Sequence, residues 1–260
     1  MSVSIKTPAE IEIMAEGGKR LAEVLRMLEE KARAGITTKQ LDRMAYQMIH
    51  KLGAKPGFLH YRPAGAVKAY PYTLCASLND TVVHGLPSDR PLVPGDILKL
   101  DLGLIYKGLN LDSAVTVAIG PVPGAPDKIS RETKNLIAAT RAALAAGIEE
   151  AYLGNTIGDI GAAIAAVAKK NKVGIAEGLI GHGIGKHLHE DPAVFNFGKR
   201  GTGEPLELGM TIAIEPMFTA GSGETVTRKD DSYATADGSL AAHFEHTIAI
   251  TPQGPRILTK

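Results

Sequence analysis

The sequence predicts an α+β domain built from two related halves, and three observations lead there. Capped amphipathic helical patterns open each half, β-rich runs follow them, and the order of parts in residues 1–125 recurs in residues 126–260. At 260 residues, with 44% apolar and 22% charged, the chain can bury a sizeable core as one domain, 1–260.

The first helix is announced by Thr7-Pro8-Ala9-Glu10, which offers a capping hydroxyl, a proline at the first helical position and a glutamate that reaches back. Ile11, Met14, Leu21, Val24, Leu25 and Leu28 recur at helical spacing, predicting a helix that runs on to a stop at Gly35. Thr37-Thr38-Lys39-Gln40 repeats the capping logic and opens a second helix to about Leu52. Residues 96–106 and 109–119 are β-rich runs around Lys107-Gly108, a predicted hairpin. An alanine-rich helix is expected from Ser130 to Tyr152, and Thr156-Ile157-Gly158-Asp159 opens another that ends near Gly174. Met210 to Glu215 and His243 to Ile250 read as two further strands. Residues 35–42 and 154–161 match weakly in letters but share one logic, a glycine link into a capped helix, which suggests internal duplication. The stretch 120–126 is the nearest thing to a linker and is too short to divide the chain. Two related halves place a site at the seam between them.

Composition narrows the function classes. Lys and Arg number 29 against 28 Asp and Glu, a formal charge of +1, and no basic stripe gathers to argue for nucleic acid as the main ligand. Cys75 is the only cysteine, so no intrachain disulfide forms. No run approaches the ~18 apolar residues of a membrane span, and the first residues carry no signal-peptide pattern; the cytoplasm is the expected compartment.

The chemistry-bearing residues are acids in apolar surroundings. Asp101 lies in Leu98-Lys-Leu-Asp-Leu and Asp112 in Leu109-Asn-Leu-Asp-Ser on the partner strand. With the turn centred on Lys107-Gly108, Asp101 pairs with Ala114 and Asp112 sits two residues along on the same face; a turn centred one residue earlier sets the aspartates directly opposite each other. Either register brings two carboxylates together. Their repulsion is relieved by protonating one, by an intervening basic side chain or by a cation. Glu215 ends the apolar run Thr211-Ile-Ala-Ile ahead of Pro216, and Glu245 stands between Phe244 and His246. His182 lies in a glycine-rich loop, Gly181-His-Gly-Ile-Gly, whose glycines let the backbone approach a site closely. Four carboxylates and one imidazole describe an oxygen-rich site for two divalent cations, suited to hydrolysis; Mn, Fe, Co and Zn all accept such ligands.

At this point the chain resembles the type I methionine aminopeptidases, through Asn79-Asp80-Thr-Val-Val-His84-Gly-Leu-Pro87, residues 94–101, Gly181-His-Gly-Ile-Gly with His189-Glu-Asp-Pro192, residues 209–217, and Phe244-Glu245-His-Thr. The resemblance implies the pita-bread fold, two pseudo-symmetric halves with a curved antiparallel sheet covered by helices. It also implies removal of the initiator methionine from nascent-chain N-termini. Asp101, Asp112, His182, Glu215 and Glu245 fall on its metal-ligand positions, and Glu215 also on that of a base. His84 and His189 match histidines that contact substrate, while Tyr70 and Cys75 match the side-chain pocket. His187 and His246 match no catalytic position and are read as structural. Action near the ribosome and a monomeric state are implied as well. No inserted subdomain separates His189 from Glu215, which looks like type I, and N-terminal zinc-binding extensions are expected to be missing.

Departures from the pattern surround the pocket. Asn110-Leu111 stand where a His-Gly pair is common, and His243 where a glutamine is common. The chain has no tryptophan, so Tyr233 or a neighbour must fill that pocket space, and Arg62 to Ala69 is longer than the usual link. The rival readings are a proline-specific peptidase of the same fold and a non-catalytic binding protein built on it.

Overall fold

The computed structural model describes residues 3–62, 68–121 and 129–260. The longer link at Arg62–Ala69 and the stretch 120–126 therefore lie largely outside the described residues. Its helices are α1 (Pro8–Lys31), α2 (Thr38–Lys51), α3 (Arg131–Glu149) and α4 (Ile157–Asn171). Capping sets their starts. Thr7 Oγ1 accepts the Glu10 N–H at 3.2 Å while the Glu10 carboxylate accepts the Thr7 N–H at 2.7 Å, and Thr37 with Gln40 repeats the exchange. Helix α1 ends at Lys31, short of Gly35, because the Gly35 N–H is drawn away to the Leu92 carbonyl at 2.8 Å. No described helix is long and apolar enough to cross a membrane.

The strands in chain order are β1 (Lys55–Pro56), β2 (Leu74–Leu78), β3 (Thr81–Val83), β4 (Ile97–Tyr106), β5 (Leu109–Ala118), β6 (Gly174–Ile175), β7 (Gly181–Gly183) and β8 (Glu190–Val194). They continue with β9 (Thr211–Ile214), β10 (Met217–Thr219), β11 (Thr225–Thr227), β12 (Tyr233–Thr235), β13 (Ala241–His243), β14 (Glu245–Thr251) and β15 (Gly254–Ile257). One antiparallel sheet runs β1-β4-β5-β14-β9-β7-β8, with β2 added on β4 and β15 on β14. Its first strands come from the first half of the chain and its last from the second. The halves meet where β5 pairs β14, at Glu245 opposite Ala114 and His246 opposite Ser113. Two small sheets, β13-β10-β6 and β11-β12-β3, flank it.

Helices cover one face of the large sheet. Leu98, Leu100, Leu102 and Leu104 of β4 join Met14, Leu21 and Leu25 of α1 in one buried cluster. Ile212 and Ile214 of β9 and Ile248 and Ile250 of β14 join Leu136 of α3 and Ile160 of α4 in a second. The hairpin turn has Lys107 at φ 47 and Gly108 at φ 83, the left-handed pair that matches the strand twist. That turn sets Tyr106 opposite Leu109 and hence Asp101 opposite Ala114, which selects the first of the two registers.

Two strand readings change. Residues 243–250 are not one strand: His243 pairs with Met217 in a small sheet, Glu245 pairs with Ala114 in the large one, and the chain changes sheet at Phe244. Phe244 is held there by its N–H to the Pro216 carbonyl at 3.4 Å and by the Arg141 guanidinium 4.8 Å from its ring centroid. The second correction concerns His182, which lies on β7 and not in a loop. A Cβ at Gly181 would come within 2.3 Å of the Ala213 carbonyl oxygen, and one at Gly183 within 2.2 Å of the Asp191 oxygen, so the glycines serve close strand packing.

Candidate active site

The period of two in a strand builds the site. Even-numbered residues of β4 face the helices, so Lys99, Asp101 and Gly103 face the other way. Their register partners Thr116, Ala114 and Asp112 on β5 share that face. Glu245 lies opposite Ala114, and Thr247 pairs with Ala213, which in turn pairs with His182. Glu215 follows β9 directly. Donors distant along the chain thus converge on the face away from the helices, on both sides of the β5–β14 seam. Ala114 keeps the centre open, since any larger side chain would occupy the space between Asp101 and Glu245.

The donor atoms form two overlapping groups. Single ligand atoms of Asp112, His182 and Glu245 lie within 4.8 Å of one another, and so do those of Glu215, His243 and Glu245. His182 Nε2 is 3.6 Å from Glu215 Oε1, and the carboxyls of Asp101 and Asp112 are within hydrogen-bonding reach of each other. Burial raises all four acids: Asp101 to about 7, Glu215 to about 8, and Asp112 and Glu245 well above the ordinary range, with mutual repulsion adding at Asp112 and Glu245. Burial, then His189, lowers His182 to about 3, so its imidazole is neutral. Its Nδ1 is 2.8 Å from the Gly183 carbonyl; the proton therefore sits on Nδ1 and the Nε2 lone pair faces the acids, the orientation a metal-binding histidine needs.

Several donors have no hydrogen-bond partner among the described residues: Asp101 Oδ1, Asp112 Oδ1, Glu245 Oε1 and both ring nitrogens of His243. Buried polar atoms are rarely left so. A cluster of inward-facing lone pairs with its acids crowded together fits divalent cations, which would reverse the acid shifts.

Around this centre the cleft is open. The His84 and His189 rings are solvent-exposed although protein surrounds them, and that partial desolvation lowers both below the usual imidazole value. The His189 Nδ1 is 2.8 Å from the Tyr61 hydroxyl, and its ring stacks edge-on to His182 at 4.5 Å. His84 meets the Tyr233 ring at 5.6 Å. The Tyr70 hydroxyl is shared between the Leu74 and Gly85 carbonyls at 3.0 Å each, and its ring is edge-on to Phe58 at 6.5 Å. Cys75 is buried opposite Asp101, and burial pushes its thiol up, so it stays protonated. A groove of about 790 Å³ lies elsewhere, lined by Ile5, Phe195 and Phe197, and includes none of the clustered donors.

The structure thus brings Asp101, Asp112, His182, Glu215 and Glu245 together, with His84, His189, Tyr70 and Cys75 around them. His246 faces the opposite side, its Nδ1 2.9 Å from Thr259 Oγ1, and His187 is exposed. Sequence reasoning missed Tyr61, Lys99 and the place of His243. Lys99 is fully buried, its Nζ donating to the Asn79 carbonyl at 2.7 Å, and burial lowers it to about 7. The alternation Lys99, Asp101 against Leu98, Leu100, Leu102 was the available signal. Asn110 ties β5 to the segment that follows β7, its Nδ2 donating to the Gly185 carbonyl at 2.9 Å.

Comparisons with known proteins agree with this geometry. The sequence profile of metallopeptidase family M24 matches residues 12–252. The methionine aminopeptidase of Clostridium perfringens is 42% identical over 99% of this chain and 98% of its own. The crystal structure of methionine aminopeptidase from Rickettsia prowazekii superposes with a TM-score of 0.93 at 34% identity, covering 100% of both chains. A prolidase from Pyrococcus furiosus shares the fold alone, with a TM-score of 0.75 at 22% identity over 98% of this chain and 65% of that one. With a pita-bread fold and a match running almost end to end, the chain belongs to metallopeptidase family M24, among its methionine aminopeptidases.

Proposed function

We propose that the chain removes the initiator methionine from new polypeptides, with Asp101, Asp112, His182, Glu215 and Glu245 holding two divalent ions. The observation that carries this reading is the set of buried, unpartnered donors converging from both halves onto one face of the sheet. Bound there, such ions act as Lewis acids and make solvent more acidic, which is the activation amide hydrolysis needs. Glu215, at the edge of the cluster and 12% exposed, takes the proton that the attacking water gives up. His84 and His189 project into the open cleft, where they hold the scissile amide and share the charge that grows on its oxygen. The Tyr61 hydroxyl fixes the ring angle of His189. Tyr70, pinned through its hydroxyl, and Cys75, in register with Asp101, would supply the ring and thiol that suit a thioether side chain. Tyr233 packs beside His84.

The setting that goes with this reading is the cytoplasm, with a monomer acting on nascent chains at the ribosome. The lone, buried Cys75 and the balanced charge support it. Gel filtration and co-sedimentation with ribosomes test it. A cleavage screen with Mn, Fe, Co and Zn tests the activity itself. Met-Ala-Ser is cleaved, while Leu-Ala-Ser and Xaa-Pro peptides are cut far more slowly. Preferred cleavage of Xaa-Pro would replace this reading with the prolidase one, and no cleavage with any ion would leave a binding protein.

A further inference from the structure

We propose that His243 is a sixth metal ligand, placing an imidazole nitrogen on each of the two ion positions. This inference rests on the dinuclear reading above. The two donor groups share Glu245: one holds His182 with Asp112, the other holds His243 with Glu215. Each group therefore contains one imidazole, and Glu245 stands where a carboxylate can bridge.

The separations fit. Donors about 2.1 Å from a common ion, subtending roughly 90–110° at it, lie about 3.0–3.4 Å apart. His243 Nε2 is 3.4 Å from Glu215 Oε2. That is longer than a charge-assisted hydrogen bond of about 2.7–2.9 Å, so the pair is not closed upon itself. The ring is 1% exposed and both nitrogens lack a partner among the described residues, a costly state for a buried imidazole unless something takes its lone pair. Its backbone is held on two sides. The His243 N–H donates to Thr116 Oγ1 at 2.9 Å, the Thr116 hydroxyl donates to the His243 carbonyl at 2.6 Å, and His243 is in register with Met217 on β10. The ring is consequently aimed at the acids, with no route to solvent. A second imidazole makes the centre richer in nitrogen, which favours Zn, Co and Fe over Mn.

The test is a calorimetric titration of metal-free wild type and His243→Gln with Co(II), with X-ray absorption counting imidazoles per ion at full loading. Wild type takes up two ions with an average of one imidazole each. In the variant the first affinity stays within a few-fold, the second weakens at least ~10-fold, and the imidazole average halves. An unchanged second affinity and imidazole count would overturn the proposal and leave His243 a hydrogen-bonding partner of Glu215, with the dinuclear reading intact. Wild type that takes up fewer than two ions would overturn both. Proton NMR of the Co(II)-loaded wild type gives a check that needs no variant: two shifted imidazole N–H signals support the proposal, and one refutes it.

Discussion

Loading the metal-free protein with divalent ions at pH 7 releases protons, and their number follows from the acid cluster. Asp101 is raised to about 7 and Glu215 to about 8, while Asp112 and Glu245 are pushed well above the carboxylate range. At pH 7, Asp101 thus carries roughly half a proton and Glu215 about nine-tenths, and burial favours the protonated forms of the other two acids as well. A cation in the cluster requires all four ionised, so more than one proton leaves, Asp101 and Glu215 alone giving up about 1.4. His182, lowered to about 3, is already neutral and contributes none. At pH 8.5 Asp101 and Glu215 are largely ionised beforehand, and release falls by about one proton. Metal affinity therefore rises with pH. The metal-free fold obeys the same sign: each acid has a raised folded value, so its contribution is full below its unfolded value of ~4 and is lost as pH climbs to about 7 at Asp101 and about 8 at Glu215. Calorimetry in buffers of different ionisation enthalpy gives the proton count as the slope of apparent enthalpy. A slope near zero at pH 7 would refute the picture of crowded, protonated acids.

Asp112→Ala removes a donor from one group; metal affinity should fall more than ~100-fold and turnover vanish while circular dichroism stays native, so an active variant contradicts the ligand role. His84→Ala should lower kcat by about 10²–10³-fold with metal content near wild type; lost metal would instead move His84 into the ligand set. Tyr61→Phe frees the His189 ring from its 2.8 Å hydrogen bond, and a roughly 10- to 100-fold drop in kcat with unchanged metal binding is expected; equal kcat would make the contact incidental. Gly18→Ala gains ~1 kcal/mol of helix propensity, but its Cβ would stand 2.0 Å from the Leu258 carbonyl oxygen, where no rotamer relieves the clash. Overpacking of ~1–3 kcal/mol outweighs the gain, so the melting temperature should drop; a rise would show that the C-terminal strand yields.

The helices and the hairpin were legible because their signals are local, capping hydroxyls, helical spacing and a Lys107-Gly108 turn, while the choice between two registers came only with the turn's backbone. The acids stood out because a carboxylate among leucines needs a reason. What stayed hidden depends on contacts between distant residues. Strands of three residues such as β3, β7 and β12 have too little periodicity to read, and their partners lie far along the chain. The glycines around His182 were read for their torsional freedom, whereas their missing Cβ atoms are what the packing uses. Tyr61 carried no signal, since its partner is 128 residues away. His243 did carry one, because it stands two residues from Glu245, but the change of sheet at Phe244 masked that parity.

The pairing of β5 with β14 has a consequence for how the enzyme comes into being. Asp101 and Asp112 are synthesised long before His182, Glu215 and Glu245, and neither set alone surrounds the ion positions. On the proposed ligand set, a ribosome-bound fragment that ends before His182 lacks three of the five donors. With those ligands, cation capture would tie early and late segments across one line, and hydrolysis would await the finished polypeptide.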